Sequence, residues 1–450
     1  MEARAAEAVP DDATDSLGRR RLCELLGYAK RVFGLDALLG AIRDRRTGAR
    51  IGTDLVARAV FLMGLLRVRS FNAFEPKLAE PWMQRALGLD TTARKALSVD
   101  TLAYSLQRME VSTTRAALTA TVKKAERNKV FREGWYHALR FVAIDGWEPF
   151  CSYDRHCPAC LTRQVTVGNE VRTQYYHRCV VALLLGKQLE VVLDFEPILS
   201  ADVRRERGQK DVSGHEGELT AAKRLVQRLR TTYGGWLDVI VGDALYANGP
   251  FLSLAKQCGY GVIAVLKKED NEPLREALAM WGDDPAHKVL HDADKKERVE
   301  LWDCPDIETL SSYRGKIRVV RAVVHKQRSD GEVSKPTTWC FAATGKAERM
   351  NLHRVTLAGR GRWHIENTGF YQWAHYWRFS HVFTHGKDAL PALFYIFFLA
   401  FNLLQLFVYR QLGGYGRDRG GDVTRTLWRL VDEMNDDLAR LHARIAWDTS

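Results

Sequence analysis

Three acidic residues in three different contexts carry the chemistry open to this sequence. Asp145 closes the apolar run Phe141-Val142-Ala143-Ile144 and is followed by Gly146. Asp243 closes a second run, Leu237-Asp238-Val239-Ile240-Val241-Gly242. Glu366 lies in Arg362-Trp363-His364-Ile365-Glu366-Asn367, which reads as a helix. Carboxylates at the C-terminal ends of two strands, with a third on a helix, can converge on a pair of divalent cations. Two Mg²⁺ or Mn²⁺ ions about 3.5–4 Å apart activate an oxygen nucleophile and stabilise the leaving oxygen of a phosphodiester. Mg²⁺ takes oxygen ligands and keeps several waters, so a few carboxylates suffice. Each acid also has an ordinary reading. Asp145 would cap a turn, Asp243 would N-cap a following helix, and Glu366 would pair with Arg362 at i,i+4.

The rest of the chain bears on the substrate. Lys and Arg number 67 against 55 Asp and Glu, a net charge of +12 that favours a polyanionic partner. The 450 residues suffice for two or three domains. Residues 1–16 lack a basic stretch followed by an apolar one. They read as a disordered start, not a secretory signal. Eight cysteines are too sparse for a disulfide scaffold and point to the cytosol. Ala389 to Leu412 has the length of a membrane span. Asn402 and Gln405 inside it argue for a buried helix of the catalytic domain, so no membrane association is expected.

The elements that must position the acids follow from periodicity. Residues 17–135 read as a helical N-terminal domain. Leu55 to Leu66 has helical apolar spacing, Ser98 is an N-cap before Val99 to Met109, and Thr113 to Lys129 continues as a basic amphipathic helix. Such a domain could read DNA by a helix-turn-helix, or serve only packing or dimerisation. Residues 136–266 read as strand, strand, strand, helix, strand, helix, strand: a mixed α/β sheet with a parallel portion. The second and third strands would meet in a hairpin at Gly186-Lys187. The first and fourth strands would be parallel neighbours, bringing Asp145 and Asp243 together at their C-terminal ends. Residues 267–345 read as a β-rich insertion, and 346–412 as the closing helices of the core. Residues 413–450 form a Gly/Arg linker and an amphipathic helix. Its stripe of Leu427, Leu430, Val431, Met434, Leu438, Leu441 and Ile445 would cover either a second copy or its own domain.

A second constellation is Cys157-Pro158-Ala159-Cys160, with Cys151, His156 and His177 nearby. One such pair without a second is a weak zinc signal. Reduced free thiols are the favoured reading and a structural Zn²⁺ the lesser one. Glu190, Asp194 and Glu196 read as a mixture of surface and secondary site positions.

Ile144-Asp145-Gly146, Gly242-Asp243-Ala244-Leu245-Tyr246 and Arg362 to Asn367, in this order, resemble the bacterial insertion-sequence DDE transposases with a ribonuclease-H-like core. The resemblance is to the cut-and-paste group marked by a Tyr, Arg, Glu, Lys signature, and it covers roughly 140–412. Arg362 falls on the signature Arg. The signature Tyr falls on Gly359 and the Lys on Trp373, so the signature is partly degenerate. The resemblance implies an α/β, ribonuclease-H-like sheet with flanking helices and an insertion before the Glu helix. It implies Mg²⁺ or Mn²⁺ held by Asp145, Asp243 and Glu366. Water would free a 3′-OH at the element end, and that 3′-OH would attack target DNA. Trp339 falls where related enzymes stack a Trp on a flipped base. Arg362, Lys267 and Lys268 would contact DNA. The implied partners are double-stranded DNA, as terminal inverted repeats and target, and a second copy of the chain. The implied location is the bacterial cytoplasm, at the nucleoid. Two alternatives are a transposase-derived DNA-binding protein without catalysis and a nuclease of the same fold that does not transpose.

Overall fold

The computed structural model describes residues 21–90, 97–133, 139–186, 189–267, 271–292, 296–327, 333–413, 423–441 and 444–447. The start at 1–16, the hairpin residue Lys187, and Lys268 lie outside the described residues, as do the linker residues 414–422 and the side chain of Leu427. The protein is mixed α/β. A ten-stranded mixed sheet is flanked by helices, with a helical N-terminal region against it.

The strands are β1 (Phe141–Ser152), β2 (Leu161–Val167), β3 (Glu170–Leu185), β4 (Val191–Pro197), β5 (Val239–Gly242), β6 (Gly261–Leu266), β7 (Lys288–Asp292), β8 (Glu297–Ile307), β9 (Ile317–Lys326) and β10 (Thr337–Thr344). Their order is β2-β3-β1-β5-β6-β10-β9-β8-β7, with β4 also paired to β3. β5 and β6 are short and wholly buried, as continuous apolar runs in the parallel part of a sheet should be. β1 and β5 are parallel neighbours, as the sequence predicts. β3 runs antiparallel to both β1 and β4.

One feature departs from the expectation and another adds to it. β1 does not end at Asp145. It continues to Ser152 because Gly146 and Trp147 keep pairing with Val180 and Cys179 of β3. The β-rich segment after β6 joins the same sheet, since β10 pairs antiparallel with β6 and carries β9, β8 and β7 with it. It also contains a helix, Glu272–Trp281, that its charged residues conceal.

The helix Ala389–Arg410 is long and apolar enough to cross a membrane, and 94% of its most apolar window is buried inside the protein. Its buried Asn402 shows why it belongs there. The side-chain amide bonds both the N–H and the C=O of Val192 at 2.8 Å, closing the backbone of β4. The helices Thr53–Leu65 and Val111–Arg127 pack on it, so the N-terminal helices and the sheet share one apolar core. Burying each Leu or Phe of this helix is worth about 1.5–3 kcal/mol. Ser98 caps Val99–Leu106 as predicted, its hydroxyl accepting from Thr101 N. The tail helix Val423–Ala439 lies against the helix Arg21–Tyr28, where Asp437 accepts from the amides of Leu22 and Cys23. Leu430, Val431, Met434 and Leu438 are buried there.

Candidate active site

β1 and β5 bring the two aspartates side by side. Phe141, Val142 and Ala143 pair with Val239, Ile240 and Val241, so Asp145 and Asp243 each stand two residues past the last couple. In-register residues of parallel neighbours share a face and a level. Asp243 N-caps a short 3₁₀ turn, its Oδ1 accepting from Leu245 N at 2.8 Å. The ordinary capping role is therefore real.

Glu366 comes from the opposite element. The helix Leu352–Gly361 runs on through Arg362 into a π-turn, Ile365–Phe370, and then Tyr371–His375. The expected helix is thus present, but it begins ten residues earlier and is widened at Glu366. Such π-turns recur at functional sites. Arg362 joins the acids. Its Nη1 donates to Asp145 Oδ2 at 3.0 Å and to Glu366 Oε1. The guanidinium is nearly buried, Asp145 is mostly buried and Glu366 is partly open.

One guanidinium thus bridges two of the three carboxylates. The acids are not drawn together to ligand distance as they stand. Among the described residues, the one group of three or more metal-ligating side chains within 4.8 Å of one another is Cys157, Cys160, His177 and His385. Burial pushes the Asp145 carboxyl up to about 7. Asp243 and Glu218 add to that rise, while Arg362 and the Gly146 N–H oppose it.

Glu218 is a fourth acid that sequence reasoning missed. It opens the helix Glu218–Tyr233 and reaches the site past Gly146, where any side chain would collide with it. It accepts from Tyr246 Oη at 2.8 Å and pairs with Arg178 at 2.6 Å. Its one sequence signal is an acid in the first turn of a helix, which is common.

The same face of β1 holds Trp147, two residues beyond Asp145. Trp147 packs on Phe370, Trp373, Phe394 and Phe398. This aromatic cluster fixes the Glu366 segment against β1. The packing also accounts for the residues at 359 and 373. Trp373 is fully buried in the cluster, a place that excludes a lysine. Gly359 lies on the Phe341 ring, where any larger residue would collide.

Trp339 sits early in β10, stacked on Phe341 and edge-on to Trp363 at 6.1 Å. Lys267 is exposed and follows Leu266, whose partner is Cys340, so it stands beside Trp339. Lys268 falls outside the described residues. Trp363, between Arg362 and Glu366, is 42% exposed, and Tyr371 is 51% exposed. Both aromatics escaped the sequence reading because helical aromatics commonly face a core.

Glu190, Asp194 and Glu196 are not surface positions; all three are buried. Asp194 bonds Arg228 at 2.6 Å and Tyr395 Oη at 2.6 Å, and Glu196 bonds Arg224 at 2.8 Å. Glu190 faces His364 at 3.2 Å. Strand alternation alone does not reveal this, because the helices Glu218–Tyr233 and Ala389–Arg410 both pack on β4. No protein-family model matches the chain and no curated protein matches it, so the functional reading rests on the residues and their geometry.

Proposed function

We propose that the chain is a DDE-type DNA transposase with a ribonuclease-H-like core, cleaving the ends of its element and joining the freed 3′-OH to target DNA. The observation that carries this reading is the register of Asp145 and Asp243 on parallel neighbours, with the Arg362–Glu366 turn bonded to Asp145 from the next layer. The order of β4, β3, β1, β5 and β6, with β1, β5 and β6 parallel and β3 reversed, supports the fold reading.

The donor set is carboxylate oxygen, which suits Mg²⁺ or Mn²⁺. Asp145, Asp243 and Glu366 would hold these ions, whose contribution when bound is charge neutralisation at the phosphodiester and a more acidic water. The remaining work belongs to the chain. Arg362 offers a guanidinium fork suited to a phosphate, one turn from Glu366. Lys267 adds positive charge at the same edge of the sheet. Trp339 and Trp363 offer faces for an unstacked base. The Trp147 cluster holds the Glu366 segment in place, and catalysis of this kind is mostly positioning. Joining two ends in one event requires at least a dimer on DNA. The tail stripe lies within its own chain, so the proposed dimer contact lies elsewhere.

The test is incubation of the purified protein with Mg²⁺ and DNA carrying both flanks of its reading frame. The expected products are 3′-OH ends at the element boundary and joined target DNA. Asp145→Asn and Glu366→Gln should lose both products and keep DNA binding. No cleavage by the unaltered protein in Mg²⁺ or Mn²⁺, or equal cleavage by the variants, overturns the reading. The bridge formed by Arg362 favours a second reading, DNA binding without catalysis. In that case the unaltered protein and Glu366→Gln bind the flanks alike and neither cuts.

A further inference from the structure

We propose that Cys157, Cys160, His177 and His385 hold a structural Zn²⁺ ion that ties the sheet to the segment between the Glu366 helix and the long core helix. The four ligand atoms all lie within 4.8 Å of one another. Cys157 Sγ and Cys160 Sγ are 3.7 Å apart. His177 Nε2 lies 3.6 Å from the first sulfur and 3.3 Å from the second. His385 Nδ1 lies 3.7 Å from Cys160 Sγ.

These four distances match edges of a zinc tetrahedron. Zn–S bonds of about 2.3 Å and Zn–N bonds of about 2.0–2.1 Å require edges of about 3.8 Å between sulfurs and about 3.5 Å between sulfur and nitrogen. A disulfide would bring the sulfurs to about 2.0 Å. Two thiolates and two neutral imidazoles balance a divalent charge, and these softer donors select zinc over Mg²⁺. Four protein ligands leave no open position, which marks a structural site and not a catalytic one.

The local structure is built for this arrangement. The Cys160 N–H donates to Cys157 O at 2.9 Å, closing the turn that pairs the sulfurs. The Cys157 N–H donates to Cys160 Sγ at 3.3 Å, a bond that favours thiolate. His177 is fixed on β3 opposite Phe150 of β1. Phe150 lies edge-on to both imidazoles at 5.7 Å. The buried Nε2 of His385 has no hydrogen-bond partner, so the polar contact of its ring is the one Nδ1 makes within the cluster.

His385 is the ligand that spacing could not supply, 225 residues from Cys160. His156 stacks on Tyr175 instead, and Cys151 is exposed outside the group. Residues 378–388 have turns and bends but no helix or strand. They join the segment carrying Glu366 to the helix Ala389–Arg410, and a metal cross-link would fix them to β3. The inference stands whether or not the acids catalyse anything.

The test uses the full chain, purified without an affinity tag or chelator from zinc-supplemented medium. Elemental analysis should find one zinc per chain. Replacement by Co²⁺ should give the visible d–d bands of a tetrahedral ion and thiolate charge transfer in the near ultraviolet. His385→Ala should weaken zinc binding at least tenfold in chelator competition and raise hydrogen exchange over 378–388. Cys157→Ser with Cys160→Ser should abolish binding. If that variant does not fold, titration of the unaltered protein with a zinc chelator replaces it, with a reversible drop in melting temperature as the expected result. Folded protein with no zinc and no Co²⁺ spectrum overturns the proposal. So does a Cys157–Cys160 disulfide in thiol-blocked preparations, or unchanged affinity and spectrum in His385→Ala.

Discussion

Arg362 Nη1 stands 3.0 Å from Asp145 Oδ2, and the same nitrogen holds Glu366. One monovalent cation therefore bridges two carboxylates, which under the proposed function are ligands of a divalent ion. Arg362→Ala should destabilise the protein in Mg²⁺-free buffer by about 2–4 kcal/mol, because it strips a partly buried acid of its counter-charge. Mg²⁺ should then raise the melting temperature more in the variant than in the unaltered protein, since binding to the folded state stabilises it. An equal Mg²⁺ response in both would show that guanidinium and cation do not share these oxygens.

Asp145 gives a pH dependence of defined sign. Its carboxyl is raised from 3.8 to about 7, mainly by burial. The folded protein therefore holds this proton more tightly than the unfolded chain. The associated stability is fully present below about pH 4 and lost as pH rises through about 7. Asp145→Asn removes the titration. In Mg²⁺-free buffer the variant should gain on the unaltered protein as pH rises, by an amount on the order of 2–4 kcal/mol at about pH 8. Thermal melts between about pH 5 and 8.5 measure it, and a gap that does not change with pH contradicts the burial argument.

Asp243 has a capping bond as well as its proposed ligand role, and two variants separate them. Asp243→Asn keeps an oxygen for Leu245 N and should leave stability within about 0.5 kcal/mol. Asp243→Ala loses the cap and should cost about 1 kcal/mol. Both should lose Mg²⁺-dependent DNA cleavage. Retained cleavage in Asp243→Asn would reduce this residue to its cap.

The exposed face of Trp363 should report on DNA. Trp363→Ala should weaken binding of single-stranded or end-frayed DNA by about 1–3 kcal/mol, the usual loss of one stacked base. Fluorescence titration at fixed salt measures it. Unchanged affinity would leave Trp363 as a packing partner of Trp339.

Asp194 should matter to folding alone. It is buried and bonded to Arg228 and Tyr395, and Arg228 keeps Glu196 as a second acid, so Asp194→Ala removes one of two counter-charges and should cost about 1.5–3 kcal/mol in chemical denaturation. A loss too small to measure would mean that Glu196 alone satisfies Arg228.

The parts of the fold that could be read from sequence have strong, local signals. β5 and β6 are apolar runs bounded by glycine, so the place of Asp243 was legible. Arg362 and Glu366 share a helical face at i,i+4, and the structure joins them. β2 was missed because it is polar and mostly exposed, giving no buried face to alternate against. The continuation of β1 was hidden by Gly146, which reads as a turn but here makes room for Glu218. His385 and Glu218 were illegible for a common reason. Each meets its partners through tertiary folding, and no periodicity records that.

The joining of β10 to β6 has a mechanical consequence. Asp243 and Lys267 each stand one residue past a strand, and Trp339 lies within one, of the directly hydrogen-bonded run β5-β6-β10. Their spacing works as a rigid ruler set when the chain folds. A duplex that engages the aspartates and the tryptophan together must supply the distortion itself, by kinking or by releasing a base. Under the proposed function, selectivity would then favour sequences that deform cheaply. Flexible pyrimidine–purine steps at the cleavage point would be cut faster than stiff ones bearing the same contacts.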